Sequence, residues 1–449
     1  MFTKAIRSSF FIFSIVFFSI TGLGQTTRYV ADGEILQSAI NASAAGDTIK
    51  VSKGTYGAIS VNFKVHLIAT DPVDSVVIIS SGNAVNFGFN STGASLVGFT
   101  VTATAGTGIV MGFDVLVAYC KITGCAISGI STTAGTILNS KIENCGIGID
   151  GNSNSNPQII GCVIRNNSGY GIASFTGYAS ADSIYSNGNG DDAGVDMWAG
   201  GTLVGCVIKS NNGYGVYGRS LFNNSTAFIY SNEISENLLD GYQHNYGNAD
   251  NIKVFNNLIR GNGGNGIQWK ADIGTQTIIF EVVNNVIYGN AGYGIYLNDL
   301  VGSTNVFNDF IVKNNIISEN ANGVGKSATY NVADVIFFYN DIYGNTNSNY
   351  ADGLSAGLHD ISSDPLFTNT SINDFSLQSG SPCIDAGIPQ ISLYDLDRTR
   401  NDMGIYGGSY SWANYFNNST GPRVAKLTLS DQAVIKGENI TIQATGVVK

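Results

Sequence analysis

One phrase recurs through this chain and constrains its fold more than any other feature. Residues 284–299 read NNVIYGNAGYGIYLND, and residues 205–220 read GCVIKSNNGYGVYGRS. The second aliphatic of the phrase marks ten copies: Ile122, Ile142, Ile164, Ile184, Ile208, Ile234, Ile259, Ile287, Ile317 and Ile342, spaced by 20 to 30 residues. Three residues after each marker stands Asn or Cys, from Cys125 and Cys145 through Asn167 to Asn345. Gly followed by an apolar residue comes next in most copies, as in Gly215-Val216, Gly266-Ile267 and Gly294-Ile295.

A period in the twenties, rich in β-branched residues and punctuated by Gly and Asn, predicts a parallel β-solenoid. Each repeat carries strands too short to bury an apolar face alone, and stacking in register joins them into one core. The Asn column is expected to tolerate left-handed turns and to bond along the stack through its amides. Gly is expected to supply the other bend. Leucine-rich repeats are excluded by the missing Leu-x-x-Leu-x-Leu run, and helical repeats by the missing 3.6-residue period. Ten marked rungs and about three before them predict a rod of ~60 Å. With 56 Gly in 449 residues the chain holds about 12% Gly, above the usual ~7%, and its 6 Pro suit a ladder that cannot lose N–H donors.

The pattern resembles the right-handed parallel β-helix of the pectin-lyase-like superfamily over about residues 32–410. That resemblance implies an all-β, right-handed parallel β-helix of about 12–13 rungs with both ends capped. The opening segment also looks like the start of many secreted β-helix proteins. In it, Ile35, Leu36, Ala39 and Ile40 share one face of a predicted short helix that would cover the first rung. The phrases DPLF, DFSL, GSPCIDAG and DMGIYGG resemble the terminal module of secreted bacterial β-helix proteins, so a C-terminal cap is expected over about 359–410. Asp385, Asp395, Asp397 and Asp402 in this cap are read as loop-capping side chains, with calcium ligation as the alternative. Residues 411–421 read as a linker. Two alternating segments in 422–449 resemble the start of an immunoglobulin-like sandwich, which needs about 100 residues and is incomplete here.

Residues 1–24 read as a signal peptide: Lys4 and Arg7, then an apolar run from Phe10 to Ile20, too short for a membrane span. A retained anchor is the alternative. The mature chain is expected to be secreted or held at the cell surface, to cross no membrane and to be monomeric. Its formal charge is −11, or −13 without the two basic residues of the leader, which argues against a nucleic-acid partner. The six cysteines follow the repeat. Cys120, Cys162 and Cys206 stand in one ladder column, and Cys125 and Cys145 in the other. Buried, reduced ladder residues are expected, with a Cys125–Cys145 bridge as the alternative; CxxC pairs and nearby histidines that would point to a metal are missing.

Chemistry is sought on the strand after Gly plus apolar. If the apolar residue faces inward, the residues one and three places later face outward. This predicts one column of Ala173, Asp196, Tyr217, Gln243, Gln268 and Tyr296, and a second of Phe175, Trp198, Arg219, Asn245, Lys270 and Asn298. Aromatic, amide and charged side chains on adjacent rungs suit a polysaccharide platform; the alternative is an ordinary solvated sheet face. The rungs here are the longest, and their extra residues are expected to form loops walling a groove.

Lysis of a uronate would use Lys270 or His244 as base and Arg219 as carboxylate partner; an inward or turn position is the alternative for His244. Hydrolysis would use two carboxylates about 5 or about 6.5–9.5 Å apart, for which Asp191, Asp192 and Asp196 are candidates. Asp191-Asp192 resembles one polygalacturonase motif, but that family's Asn-Thr-Asp, Gly-His-Gly and Arg-Ile-Lys motifs are missing at the matching places. Two readings stand: a secreted protein that binds or degrades polysaccharide, as lyase or hydrolase if an enzyme, and a non-catalytic structural or adhesive rod.

Overall fold

The structure is a computed structural model that describes residues 25–112, 114–152, 156–198, 200–219, 226–245, 251–271, 278–299, 308–328, 335–416, 423–429 and 442–447. The chain winds into an all-β parallel solenoid with three long sheets. Sheet I has fourteen strands, from Thr27–Val30 to Val335–Phe338; sheet II has thirteen, from Gly54–Tyr56 to Asp341–Tyr343; sheet III has thirteen, from Ile59–Val61 to Ser348–Tyr350. Each turn visits I, II and III in order, and every strand in them pairs in parallel with its equivalents in the neighbouring turns. The expected fold class is therefore the observed one.

The marker isoleucines explain the stacking. They lie opposite one another in sheet II, Ile259 on Ile287 and Ile287 on Ile317, and all ten are fully buried. Two ladders of side chains turn the corners. At the bend from sheet II to III, Asn262 Nδ2 donates to Asn290 Oδ1 at 2.9 Å, and Asn290 repeats this to Asn320 at 2.9 Å. The same oxygens accept the backbone N–H of the preceding rung, and each Nδ2 also reaches a marker carbonyl such as Ile234 O at 3.1 Å. The bend from sheet I to II has an equivalent ladder from Asn232 through Asn257, Asn285 and Asn315 to Asn340.

Two details of the repeat differ from the sequence-based expectation. The left-handed residue is the one before the ladder Asn, as at Asn284 (φ 56°), Asn314 (φ 57°) and Gly289 (φ 62°); the ladder Asn itself is not left-handed. The Gly before the sheet III apolar residue is needed for close approach and not for a bend. A Cβ on Gly266 would sit 2.5 Å from Ile287 Cγ2 and 2.7 Å from Gly294 O. All six cysteines are buried, and none is in a disulfide.

The helix Leu36–Asn41 lies over the first rung and buries Leu36 and Ile40, while Ile35 precedes it and is 71% exposed. At the other end, Leu358 and Ile361 bridge to the last rung, and the chain then runs back along the corner between sheets I and II. Asn314 Oδ1 accepts from Ile388 N at 2.8 Å, Asn284 Nδ2 donates to Asp402 O at 2.7 Å, Asn256 Nδ2 to Gly407 O at 2.6 Å, and Ser231 Oγ to Tyr410 O at 2.6 Å. Phe375, Cys383, Met403, Ile405 and Trp412 form a second apolar core with Leu258, Val286 and Ile316 beneath them. This segment is thus a side strap as well as an end closure. Strands Arg423–Leu429 and Ile442–Val447 pair antiparallel. The leader at 1–24 lies outside the described residues, within which no helix is long and apolar enough to cross a membrane.

Candidate functional site

The outer face of sheet III carries the two columns in the expected register from the strand Ala193–Trp198 onward. Asp196 lies opposite Tyr217, Tyr217 opposite Gln243, Gln243 opposite Gln268, and Gln268 opposite Tyr296. Beside them run Trp198, Arg219, Asn245, Lys270 and Asn298. The columns fail one rung earlier. Ser174 is left-handed (φ 51°) and shifts the register, so Phe175 pairs with Met197 and turns inward, fully buried. Ala173 is buried too.

Four predicted residues meet in one cluster. Arg219 Nη2 donates to Asp196 Oδ2 at 2.6 Å, and the same oxygen accepts the Ser174 N–H at 3.1 Å. The guanidinium lies 4.4 Å from the centre of the Trp198 ring and 5.7 Å from that of Tyr217, a cation–π arrangement that holds it against the sheet. Asp196 is 0% exposed. Burial pushes its pKa up, and the Arg219 bond pulls against that shift. Asp196 Oδ1, Arg219 Nε and Trp198 Nε1 are out of water and have no hydrogen-bond partner among the described residues. Arg219 is therefore already engaged by a carboxylate of this chain, which corrects its expected role as an open carboxylate receptor. Asp196 is equally committed.

His244 also requires correction. It points into the rod at 3% exposure, stacked on Trp269 (centroids 4.7 Å apart, planes 7° apart), with its Nδ1 3.1 Å from the Tyr242 hydroxyl. It cannot reach a chain lying on the outer face, so it is no base for one. Gly218 makes room for this pair: a Cβ there would sit 2.6 Å from the Tyr242 hydroxyl and 2.7 Å from His244 Nδ1. The long rungs spend part of their extra residues on wider strands and a bulkier core, with Phe280 stacked on Phe310 at 4.9 Å. The expected walling loops are Tyr246–Asn251, Ala271–Thr277 and Asn298–Asn308; residues 246–250, 272–277 and 300–307 of them lie outside the described residues, and the rest belong to strands.

A third column was missed by the sequence reading. Tyr214 stacks on Tyr217 at 5.3 Å, Tyr293 on Tyr296 at 4.7 Å, and Asn265 Nδ2 donates to Gln268 Oε1 at 2.9 Å. Asp240 belongs with them; its carboxylate accepts from Asn265 N at 2.6 Å. Burial raises its pKa to about 6, against the pull of the Asn265 N–H and nearby Lys270. The signal was present: Tyr170, Tyr214 and Tyr293 are the Tyr of the Gly-Tyr-Gly phrase, read only as framework. Asn245 Nδ2 donates to the Tyr217 hydroxyl at 2.7 Å, and Gln243 Nε2 to Asn245 Oδ1 at 3.1 Å. Lys270 and Asn298 are half-buried at the outer edge. The face thus offers flat rings, amides and an ion pair across five rungs, without a base set beside an open cation.

In the cap, the carboxylates hold backbone. Asp395 accepts from Asp402 N at 2.9 Å and Gly408 N at 2.5 Å, Asp402 from Asp385 N at 2.7 Å, and Asp397 from Thr399 N at 3.0 Å. Among the described residues, no group of three or more His, Cys, Asp or Glu is placed to hold a metal ion.

Residues 174–324, which include most of this face, match the family model described as a right handed beta helix region. Solved structures with a similar fold include the A-module of a mannuronan C-5 epimerase, AlgE6, from Azotobacter vinelandii. It is 15% identical, with 73% of this chain and 93% of that one covered and a TM-score of 0.43. Pectate lyase Pel9A is 14% identical over 85% of this chain and 96% of its own, with a TM-score of 0.37. The catalytic domain of a GH87 α-1,3-glucanase is 12% identical over 79% and 68%, with a TM-score of 0.37. No curated protein matches the sequence.

Proposed function

We propose that this protein holds polysaccharide along the outer face of sheet III. The observation that carries the reading is the in-register surface of Trp198, Tyr217 and Tyr296, flanked by Asn245, Gln268 and Asn298, with the Asp196–Arg219 pair at one end; Gln243, expected on this surface, is buried beneath it and donates to Asn245. Aromatic faces stack on pyranose rings, and amides bond hydroxyls in both directions. Rungs follow one another at about 4.8 Å, so a saccharide running along the rod would meet a new row of side chains with each turn. The reading is one of binding. His244 lies inside the rod, and Arg219 and Asp196 hold each other, so lysis or hydrolysis is left to Lys270 and the carboxylates Asp192 and Asp240. Export by the leader and exposure at the cell surface belong to the same proposal.

The test is incubation of the purified chain with neutral and acidic polysaccharides, with and without calcium. Retention in affinity gels reports binding, unsaturated ends report lysis, and reducing ends report hydrolysis. Binding that weakens in Trp198→Ala, with or without product, supports the proposal. Binding unchanged in Trp198→Ala, Arg219→Ala and Lys270→Ala rules out this face. Retention of no glycan favours the structural rod.

A further inference from the structure

We infer that the sheet III face takes a neutral, hydroxyl-rich glycan and not a polyuronate. The inference rests on the polysaccharide reading and narrows it. Its first ground is charge. Arg219 and Lys270 are the cations of the three outward columns. Arg219 is bonded to Asp196 at 2.6 Å. A carboxylate also borders the same surface: Asp352 accepts the Tyr293 hydroxyl at 3.1 Å. A polyanion would meet a surface on which one of the two cations is already matched by a carboxylate of this chain.

The second ground is the kind of hydrogen bond on offer. The polar groups within reach of a ligand are half-buried phenols and amides: Tyr217, Asn245, Gln268, Tyr296 and Asn298. Each carries both donating and accepting atoms. A sugar hydroxyl donates and accepts, so it can satisfy both kinds of group at once. An ionised sugar carboxylate only accepts, and beside Asp196 it would face a like charge in a poorly hydrated site.

The full chain is titrated with neutral mixed-linkage β-glucan, xyloglucan and galactomannan, and with polygalacturonate and alginate, at about 0.02 and about 0.5 M salt. At least one neutral glycan is expected to bind, with an affinity changing less than about twofold across that range. The polyuronates are expected to bind at least about tenfold more weakly at low salt. A polyuronate that binds tighter than every neutral glycan and is released by salt overturns the inference and leaves the polysaccharide reading standing. Retention of nothing overturns both. Asp196→Asn should raise polyuronate affinity about threefold or more by removing a like charge. Because that residue is buried, Asp192→Asn serves as a second, milder variant with the same expected direction, and no gain in either variant counts against the inference.

Discussion

The early rungs, from Ile122 to Ile184, and the later ones, from Ile208 to Ile342, share one steric frame and differ in the chemistry of their corners. In the early rungs the corner between sheets I and II holds Cys120, Ser140, Cys162 and Asp182. The thiols donate to carbonyls such as Ala118 O at 3.3 Å and Ile160 O at 3.6 Å, which are weak bonds. In the later rungs the same corner holds Cys206 and then Asn232 to Asn340. Each amide there accepts a backbone N–H and donates to both the next amide and a carbonyl. The strap from Asp364 to Phe416 lies over those later rungs, and the candidate site from Tyr217 to Asn298 occupies the opposite sheet of the later rungs, with Asp196 and Trp198 on the last early one. The rungs that present Asn245, Lys270 and Asn298 are therefore fixed at two amide corners and buttressed from outside, while the rung of Tyr217 and Arg219 has Cys206 at its first corner and that of Asp196 and Trp198 has Asp182. A uniform apolar repeat sets the rod, while corner chemistry and the strap distinguish one stretch of it from another.

The largest effect expected on this comparison comes from Asp182, which stands at the junction as the odd member of its column. It is fully buried, its Oδ1 accepts the Cys162 N–H at 2.6 Å, and burial raises its pKa to about 8. The folded state therefore prefers the neutral carboxyl, which can play the part of an amide. Below pH about 4 the group is protonated in both states and costs nothing. As pH rises towards about 8, the unfolded chain ionises and the folded one does not, so stability falls, by at most about 5 kcal/mol. Asp182→Asn should remove this loss and be the more stable protein at pH 8 by urea denaturation. Asp240, Asp341 and Asp395, each raised to about 6, contribute only to the lower part of the window. A variant with the same pH profile as the parent between pH 6 and 8 would break the assignment.

Next come the glycines, which test whether the frame is shared. A Cβ on Gly129 would lie 2.6 Å from Ile142 Cγ2, and one on Gly266 2.5 Å from Ile287 Cγ2. Gly129→Ala and Gly266→Ala should each cost about 3 kcal/mol or more in thermal unfolding. Clearly unequal costs would show that the two regions are packed differently after all.

The amide corners are probed by Asn290→Leu or Asn262→Leu, each expected to lower stability by about 1–3 kcal/mol by leaving ladder groups unpaired. Cys162→Ala in the early region should cost only about 1 kcal/mol. Glycan affinity of the folded fraction should stay unchanged in all three. Equal losses in the thiol and amide variants would erase the distinction drawn between the corners. On the face itself, Trp198→Ala is expected to weaken glycan binding by about 1–3 kcal/mol without a shift in melting temperature of comparable size. Arg219→Ala should weaken binding similarly and also destabilise the fold, because it strands the buried Asp196 carboxylate.

The sequence by itself determined the rod. Marker isoleucines, ladder residues and the period are local and repeated, so each copy corroborates the others, and strand alternation places Tyr217, Gln268 and Tyr296 outside. The same alternation places His244 inside, between Gln243 and Asn245. What only the tertiary structure decided are relations between distant residues. Asp196 and Arg219 are 23 positions apart, and only the register of two rungs makes them one ion pair. The left-handed Ser174 shifts one strand and buries Phe175, a break in the period that no period reports. The return of residues 388–410 to Ser231, Asn256, Asn284 and Asn314 spans up to 179 positions and depends on corner amides that a linear reading assigns to turns alone. Repetition writes the core into the sequence, because every rung needs the same interior. The site and the strap occur once, so their partners are chosen by where the stacked rungs bring them.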